Sequence, residues 1–396
     1  MGKREKKRGG CGAMLLSFLV GVAVTLLIVT GIGKQMGTSV SQTYALNRAV
    51  RIIEKAYYKP VDTEALYLSA IRGAVASLED PYAAYYTKEE YEAVLQAYSG
   101  EYRGIGISLG ARDDETVYIS KVYDDSPASK AGVTVGDTVL SMMGKTVSAE
   151  TMEEILAEVK ANPDGAISLA VERDGETLDF ELKQEKIQIK RVHMRMIGDV
   201  AVIKIDEFHG DCVKEFAKAL DESEKEKAKA LVLDLRGNPG GGLTEAKGIA
   251  NMILDKGVLM SIRTRDGKET FEYTDEGTRT DLPLVVLINE KSASASEMLT
   301  GALQDRKAAV VVGVQSYGKG IVQTTVPIPF MGHIKLTTAG YYTPSGHSIH
   351  ETGITPDVII ALPEDARKKP LHELTQEEDT QLQKAIEIQK QKGDER

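Results

Sequence analysis

Ala230-Leu231-Val232-Leu233-Asp234-Leu235-Arg236-Gly237-Asn238-Pro239-Gly240-Gly241-Gly242 passes from an apolar run into a glycine-rich loop, and a helical pattern over 244–254 follows. A strand, a tight loop and a helix in that order place the loop at the carboxyl end of a strand, where α/β sheets hold their sites. Working outward, strands are predicted at 200–205, 230–235, 284–288 and 310–312. Helices are predicted between them at 211–222, 244–254 and 295–302. That alternation from 200 to 363 is an α/β layout. The glycines let backbone N–H groups approach a ligand. A nucleotide fits poorly, because G-x-G-x-x-G is not matched and the Lys-Ser/Thr of a P-loop is missing. An oxyanion hole fits better.

Two further segments bear on that chemistry. Ser292-Ala293-Ser294-Ala295-Ser296-Glu297 is a serine-rich turn, and Gly318-Lys319-Gly320-Ile321-Val322-Gln323 carries a lysine in a glycine-flanked strand. A hydroxyl and an amine brought together in a dry site can replace the Ser-His-Asp arrangement of ordinary serine hydrolases. Ser294-x-x-Glu297 also reads as a capping box that simply starts a helix. Cap and nucleophile are compatible, since the first turn leaves the Ala295 N–H directed at any oxyanion formed on Ser294. A lysine acts as a base only without its proton, and its free pKa of ~10.4 falls toward neutral only on desolvation. Gln323, four residues on, shares a strand face with Lys319 and is placed to orient the amine. Among the six histidines, His347 and His350 lack a third partner at metal spacing, so no metal site is expected. His193 and His209 are each conceivable triad bases, but nothing in the sequence places either beside Ser294.

Residues 99–185 change character to short strands with one helix over 149–159. Ser126-Pro127-Ala128-Ser129-Lys130-Ala131-Gly132-Val133, then Val135-Gly136-Asp137-Thr138-Val139-Leu140, resemble a PDZ domain of the protease-associated kind. By that resemblance the Arg103-Gly104-Ile105-Gly106-Ile107-Ser108 strand is the carboxylate-binding loop and peptide-accepting edge. Glycine-turn N–H groups capture a terminal carboxylate while the sheet edge adds the peptide as a strand.

Taken together, residues from about Leu46 to the C-terminus resemble the carboxy-terminal processing peptidases, or tail-specific proteases. The Thr337-Thr338-Ala339-Gly340-Tyr341-Tyr342-Thr343-Pro344-Ser345-Gly346 and Gly353-Ile354-Thr355-Pro356-Asp357 segments belong to the match. The resemblance implies an α/β protease core of the ClpP/crotonase type with an inserted or preceding PDZ domain. It implies that Ser294, the middle serine, is the nucleophile, with base Lys319 following 25 residues later and Gln323 as third member. It puts Gly241 and Ala295 on the oxyanion donors, gives Asp305 a structural role, and calls for no cofactor. Gly242 departs from the pattern, standing where many members have a bulkier residue, and leaves open which of Gly240–Gly242 faces the oxyanion. A homodimer is suggested.

The net charge of −10 argues against nucleic acid as the main partner. Residues 1–8 hold five bases and one acid, so the remainder sums to −14. The charge-free stretch 13–33 would span ~31 Å as a helix, matching the ~30 Å hydrocarbon core of a bilayer. Five bases before it set the N-terminus in the cytoplasm, and Ile32-Gly33-Lys34-Gln35 is a poor cleavage site. An uncleaved single-pass signal anchor in membrane lipid is therefore expected, with 34–396 outside the cytoplasm. Cys11 and Cys212 would then lie on opposite sides and cannot pair within the chain. The expected organisation is a basic tail (1–12), the anchor (13–33), a helical region (34–98), the PDZ domain (99–185), the peptidase core (186–363) and a helical tail (364–396). The leading function is an endopeptidase acting on polypeptides with accessible C-termini. The rivals are a membrane-tethered PDZ adaptor without catalysis and an acyl-transfer enzyme of the enoyl-CoA hydratase type.

Overall fold

The computed structural model describes residues 20–22, 24, 40–112, 116–148, 150–275 and 277–394. The chain divides into two compact units, Met1–Tyr85 and Tyr86–Arg396. The first contains helices Val40–Ala56 and Thr63–Ala76, parted at Lys59-Pro60, where proline supplies no N–H for a continuing helix. Asp62 restarts the chain as a cap, its carboxylate accepting the N–H groups of Glu64 and Ala65. The anchor expected at 13–33 lies almost wholly outside the described residues. Among the described residues no helix is long and apolar enough to cross a membrane.

The second unit opens with helix Lys88–Ser99, which the sequence had grouped with the N-terminal region. Thr87 and Glu90 form its capping box, and Gly100 at φ 71° ends it in the left-handed conformation. A five-membered antiparallel path follows: Ile107–Ala111, Val117–Val122, Thr138–Met142, Ala166–Arg173 and Glu176–Lys183. Ile119, Ile155, Ile167, Leu169 and Val171 are its fully buried centre. Ser126 caps helix Pro127–Ala131, and Gly132 at φ 86° turns the chain out of it. The expected single strand over 103–108 is corrected. Glu101–Gly104 pairs instead with Glu185–Gln188, and the sheet edge begins only at Ile107. The break is at Gly106, φ 83°, where a Cβ would lie 2.1 Å from the Ser126 side chain.

The α/β sheet runs Val192–Ile197, Val200–Ile205, Ala230–Asp234, Leu284–Ile288, Ala309–Gly313, Val358–Ile359. The first pair is antiparallel and the rest are parallel. Alternate strand residues face opposite sides. Ala201, Ile203, Ile205, Leu231 and Leu233 pack with Phe216, Ile249 and Leu299 of helices Cys212–Lys225, Leu243–Ile253 and Ala295–Asp305. Val200, Val202, Val232, Val285 and Leu287 pack with Leu382, Ala385 and Ile386 of helix Thr380–Asp394. Burial on both faces is why these strands read as continuous apolar runs, each large side chain contributing ~1.5–3 kcal/mol.

The helical tail expected over 364–396 forms in pieces, Glu364–Arg367, Leu371–Glu373 and this last helix. Thr375 and Glu378 exchange reciprocal hydrogen bonds, but they close only a turn. The helix begins at Thr380, because the Asp379 carboxylate takes the Leu382 N–H and is held in place by Arg236. Of a second, antiparallel sheet of Gly257–Thr264, Glu269–Thr274, Ile321–Ile328 and Gly332–Tyr342, only the strand at Ile321 was expected from the sequence.

Candidate active site

The strand Leu284–Ile288 leads through a turn into helix Ala295–Asp305, and the three serines of that turn differ sharply. The Ser292 hydroxyl donates to the Leu235 carbonyl at 2.8 Å and that of Ser296 to the Asn238 carbonyl at 3.0 Å. Both residues are fully buried. Ser294 alone of the three lines a cleft of about 710 Å³. Its backbone is at φ 55°, ψ −115°, outside the regions an L-residue normally occupies, a strain of ~1–3 kcal/mol. Such a sharp strand-to-helix elbow presents a hydroxyl above the end of a sheet.

The glycine loop packs directly under this elbow. A Cβ on Gly240 (φ 105°) would lie 2.8 Å from Ser294 Cβ and 3.0 Å from the Ala295 nitrogen. Asn238, fully buried, ties the loop to the sheet by donating from Nδ2 to the Ile205 carbonyl and accepting the Gly240 N–H on Oδ1. The Gly242 N–H donates to the Phe208 carbonyl at 2.7 Å. Two of the three candidate donors are thus spent, whereas the N–H groups of Gly241 and Ala295 meet no acceptor among the described residues. Beneath the loop, Arg236 is enclosed by Asp234 (2.7 Å) and Asp379 (2.7 Å), with Gln381 at 3.1 Å. Burial works to raise the Asp234 carboxyl, but the Arg236 guanidinium holds it below the usual range.

Lys319 lies in a loop before the strand Ile321–Ile328, not in a strand as expected. The reason is Glu297. Its carboxylate, fully buried, accepts the N–H groups of Gly318 (2.6 Å) and Lys319 (2.8 Å), the Ser316 hydroxyl (2.6 Å) and the Ser294 N–H (2.8 Å). These N–H groups therefore serve a side chain rather than a strand partner. Gly318 turns at φ 91°, and a Cβ at Gly320 would lie 2.4 Å from the His350 nitrogen. Lys319 and Gln323 therefore do not share a strand face, and a register shift between Val322 and Gln323 intervenes. Tertiary structure nonetheless brings Lys319 and Gln323 to the cleft lined by Ser294, Ala295 and Gly241. Tyr341, 4% exposed, sits behind them, its hydroxyl 2.8 Å from the Ser294 carbonyl and 2.5 Å from that of Lys319.

Asp305 stands apart, accepting the backbone N–H and hydroxyl of Ser345. Burial would raise its carboxyl, but the hydrogen bonds from Ser345 and Thr343 keep it below the usual range. His193 pairs with Asp206 at 3.1 Å. His209 is the residue the sequence reading did not place: it lines the same cleft as Ser294, stacked on Tyr98 with centroids 4.2 Å apart. Burial lowers its imidazole pKa, against the raising pull of Glu207 and Glu245. Its position just beyond strand Val200–Ile205, at the site end of the sheet, was the available signal.

A second groove, about 680 Å³, is lined by Arg103, Gly104, Ile105, Gly106 and Ile107 with Leu109, Met142, Met152, Leu156 and Val159. The N–H groups of Ile105 and Gly106 meet no acceptor among the described residues. Arg103 turns aside, its guanidinium donating to the Pro163 carbonyl at 2.8 Å and to Asp164 at 2.6 Å.

Comparison with known proteins agrees with this layout. Residues 199–360 match peptidase family S41, 118–173 match the PDZ domain, and 29–90 match the N-terminal domain of the activating protease CtpB. A "Probable CtpA-like serine protease" of Staphylococcus aureus (strain COL) is 35% identical over 356 residues, covering 89% of this chain and 71% of that protein. The protein of the same name from Staphylococcus saprophyticus is 33% identical over 357 residues, with 88% and 72% covered. The photosystem II D1 C-terminal processing protease superposes with a TM-score of 0.50 at 25% identity, covering 82% of this chain and 95% of that one. An S41 structure from Bacteroides fragilis NCTC 9343, at 17% identity and TM-score 0.53 over 86% and 96%, shares the fold.

Proposed function

This chain belongs to peptidase family S41, as a C-terminal processing serine endopeptidase with a PDZ domain, and from that premise we propose that Ser294 is its nucleophile and Lys319 its base. The observation that carries the reading is the fate of the three serine hydroxyls. Those of Ser292 and Ser296 are consumed by buried carbonyls, while Ser294 opens to the cleft that receives Lys319.

In this mechanism Ser294 Oγ attacks the scissile carbonyl carbon as its proton passes to the neutral Lys319 Nζ. The developing oxyanion is met by the Gly241 and Ala295 N–H groups, which meet no acceptor among the described residues. Lys319 returns the proton to the leaving amine, then takes one from the water that cleaves the acyl-enzyme and passes it to the departing Ser294 Oγ. Gln323, which lines the same cleft, orients the amine. The groove at Ile105–Ile107 takes the substrate's terminal carboxylate on the Ile105 and Gly106 N–H groups and adds its last residues to the edge strand Ile107–Ala111.

Incubating the detergent-solubilised full chain with an unfolded protein tests the mechanism. Ser294→Ala and Lys319→Ala should each abolish cleavage, and the double variant should cost little more, since members of one catalytic unit are non-additive. Lys319→Arg should be equally inactive, because a guanidinium does not give up its proton near neutral pH. Folded Lys319→Ala that still cleaves would overturn it.

A second reading, with His209 as the base, is favoured by its place in the cleft. It requires activity to switch on through the acid range, whereas a lysine base requires a rise on the alkaline side. His209→Gln should leave turnover within a few-fold of the parent if Lys319 is the base.

The remaining assignments concern assembly. Residues 13–33 anchor the chain in the membrane with its bulk outside the cytoplasm, supported by the charge-free span after five bases. Protease added to cells with permeable walls should then digest the globular part. A homodimer is expected and is checked by light scattering of the solubilised chain.

A further inference from the structure

We propose that Tyr341 is a positioning residue whose hydroxyl sets the separation of the Ser294 elbow from the Lys319 loop. This rests on the serine–lysine reading above. The two segments come from different parts of the fold, one between a strand and a helix of the parallel sheet, the other leading into the antiparallel sheet. A backbone hydrogen bond from the Tyr317 N–H to the Ser292 carbonyl, 3.0 Å, and two side chains bridge them. Glu297 gathers their N–H groups from one side. Tyr341 meets their carbonyl oxygens from the other, at 2.8 Å to Ser294 and 2.5 Å to Lys319.

The chemistry of the Tyr341 tie is particular. Two carbonyl oxygens carry like partial charges and repel one another, so holding both against one buried point requires a donor between them. A phenolic O–H on a rigid ring supplies it, its one proton shared between the two oxygens. The ring has little freedom of its own, because Tyr341 is buried and lies in strand Gly332–Tyr342, its N–H donating to the Gly320 carbonyl at 3.0 Å. Burial, and then the charge of Glu297, push the hydroxyl well above its ordinary pKa, so it stays a donor across the working pH range. Both acceptors are backbone atoms of the reacting residues themselves. A shift of the tie therefore moves the Cα atoms from which Oγ and Nζ are presented. Displacements of about 1 Å in such constellations cost on the order of 100-fold in rate.

Tyr341→Phe keeps the ring and deletes only the donor. Expected is a fall in kcat of roughly 10- to 100-fold with KM within about two-fold, and a displaced midpoint in the pH dependence of kcat. The neighbouring Tyr342→Phe, whose ring lies over the Arg263 guanidinium at 3.9 Å, is the control and should retain parental kcat. Folding is followed by thermal melting. If Tyr341→Phe is unfolded at the assay temperature, it is assayed in trimethylamine N-oxide, which favours the compact state without supplying a hydroxyl. The kcat deficit must then persist in the refolded protein. Parental kcat and pH profile in folded Tyr341→Phe overturn the proposal, as does a raised KM at unchanged kcat. Ser294→Ala and Lys319→Ala run alongside. If either still cleaves, the serine–lysine reading falls; if both are dead and Tyr341→Phe is fully active, only the positioning role falls.

Discussion

The serine cleft and the PDZ groove have nearly the same volume, about 710 and 680 Å³, but opposite construction. The groove takes its two walls from one small sheet and the helix packed on it. Its lining is mostly apolar side chains, Leu109, Met142, Met152, Leu156 and Val159, with a few polar residues such as Ser108 and Lys160. The cleft draws on the glycine loop, the serine elbow, the lysine loop and the strand carrying Gln323. Buried polar side chains join those pieces: Ser292 and Ser296 tie the elbow to the glycine loop, and Glu297 and Tyr341 tie it to the lysine loop. A groove of the first kind tolerates small movements, because apolar contact is non-directional. One of the second kind does not, because unmaking a buried hydrogen bond leaves a stranded group at ~1–3 kcal/mol.

The largest separation of the two should come from the serine elbow. Ser294→Ala should lower turnover at least ~10³-fold while a fluorescent C-terminal peptide binds the PDZ groove within two-fold of the parent. Loss of both together would mean that cleft and groove are one site. Since Ser294 also begins a helix, loss of its hydroxyl costs up to ~1 kcal/mol of stability, so unfolding must be followed in parallel.

Next in size is the ion network under the glycine loop. Asp379→Ala strips one of the two carboxylates from buried Arg236, and breaking such a pair costs ~3–5 kcal/mol. Urea unfolding should show the peptidase core destabilised by that order, with peptide binding to the groove intact. An unchanged midpoint would show that Asp234 alone suffices.

A smaller effect should act on the groove alone. Leu156 lines it yet is 43% exposed, so Leu156→Asp should fold. Losing an apolar contact worth ~1.5–3 kcal/mol should weaken C-terminal peptide binding about 10- to 100-fold. Turnover of a short peptide that cannot reach the groove should stay the same, and a parallel loss there would dissolve the distinction.

The smallest effect concerns His209. Its folded pKa is lowered from the model-peptide value of 6.5 by burial, so the unfolded chain binds the proton more readily. The stability this contributes is fully present above pH 6.5 and is lost as pH falls toward the folded value. His209→Gln should flatten the acid side of the urea-midpoint curve by a small amount and leave the alkaline side alone. A steeper acid loss in the variant would reverse the sign assigned here.

Much of the architecture could be read along the chain. The strands Val200–Ile205 and Leu284–Ile288 fall where their apolar runs placed them, and helices Leu243–Ile253 and Cys212–Lys225 within a few residues. Those signals are local: a run of apolar residues, a proline or glycine break, a cap three residues from its acid. The departures share the opposite property. Lys319 leaves the strand because Glu297, 22 residues earlier, takes its N–H. The C-terminal helix starts at Thr380 with Asp379 bonded to Arg236, 143 residues away. The hydroxyls of Ser292 and Ser296 are satisfied by carbonyls 57 and 58 residues distant. Gly240 and Gly242 spend their N–H groups on Asn238 and Phe208, whereas that of Gly241 meets no acceptor among the described residues. The sequence determined which elements form, because burial and backbone preference repeat with the period of the element. Only the tertiary structure decided which of several like groups stays available for chemistry, because a hydrogen bond between distant segments has no period to read.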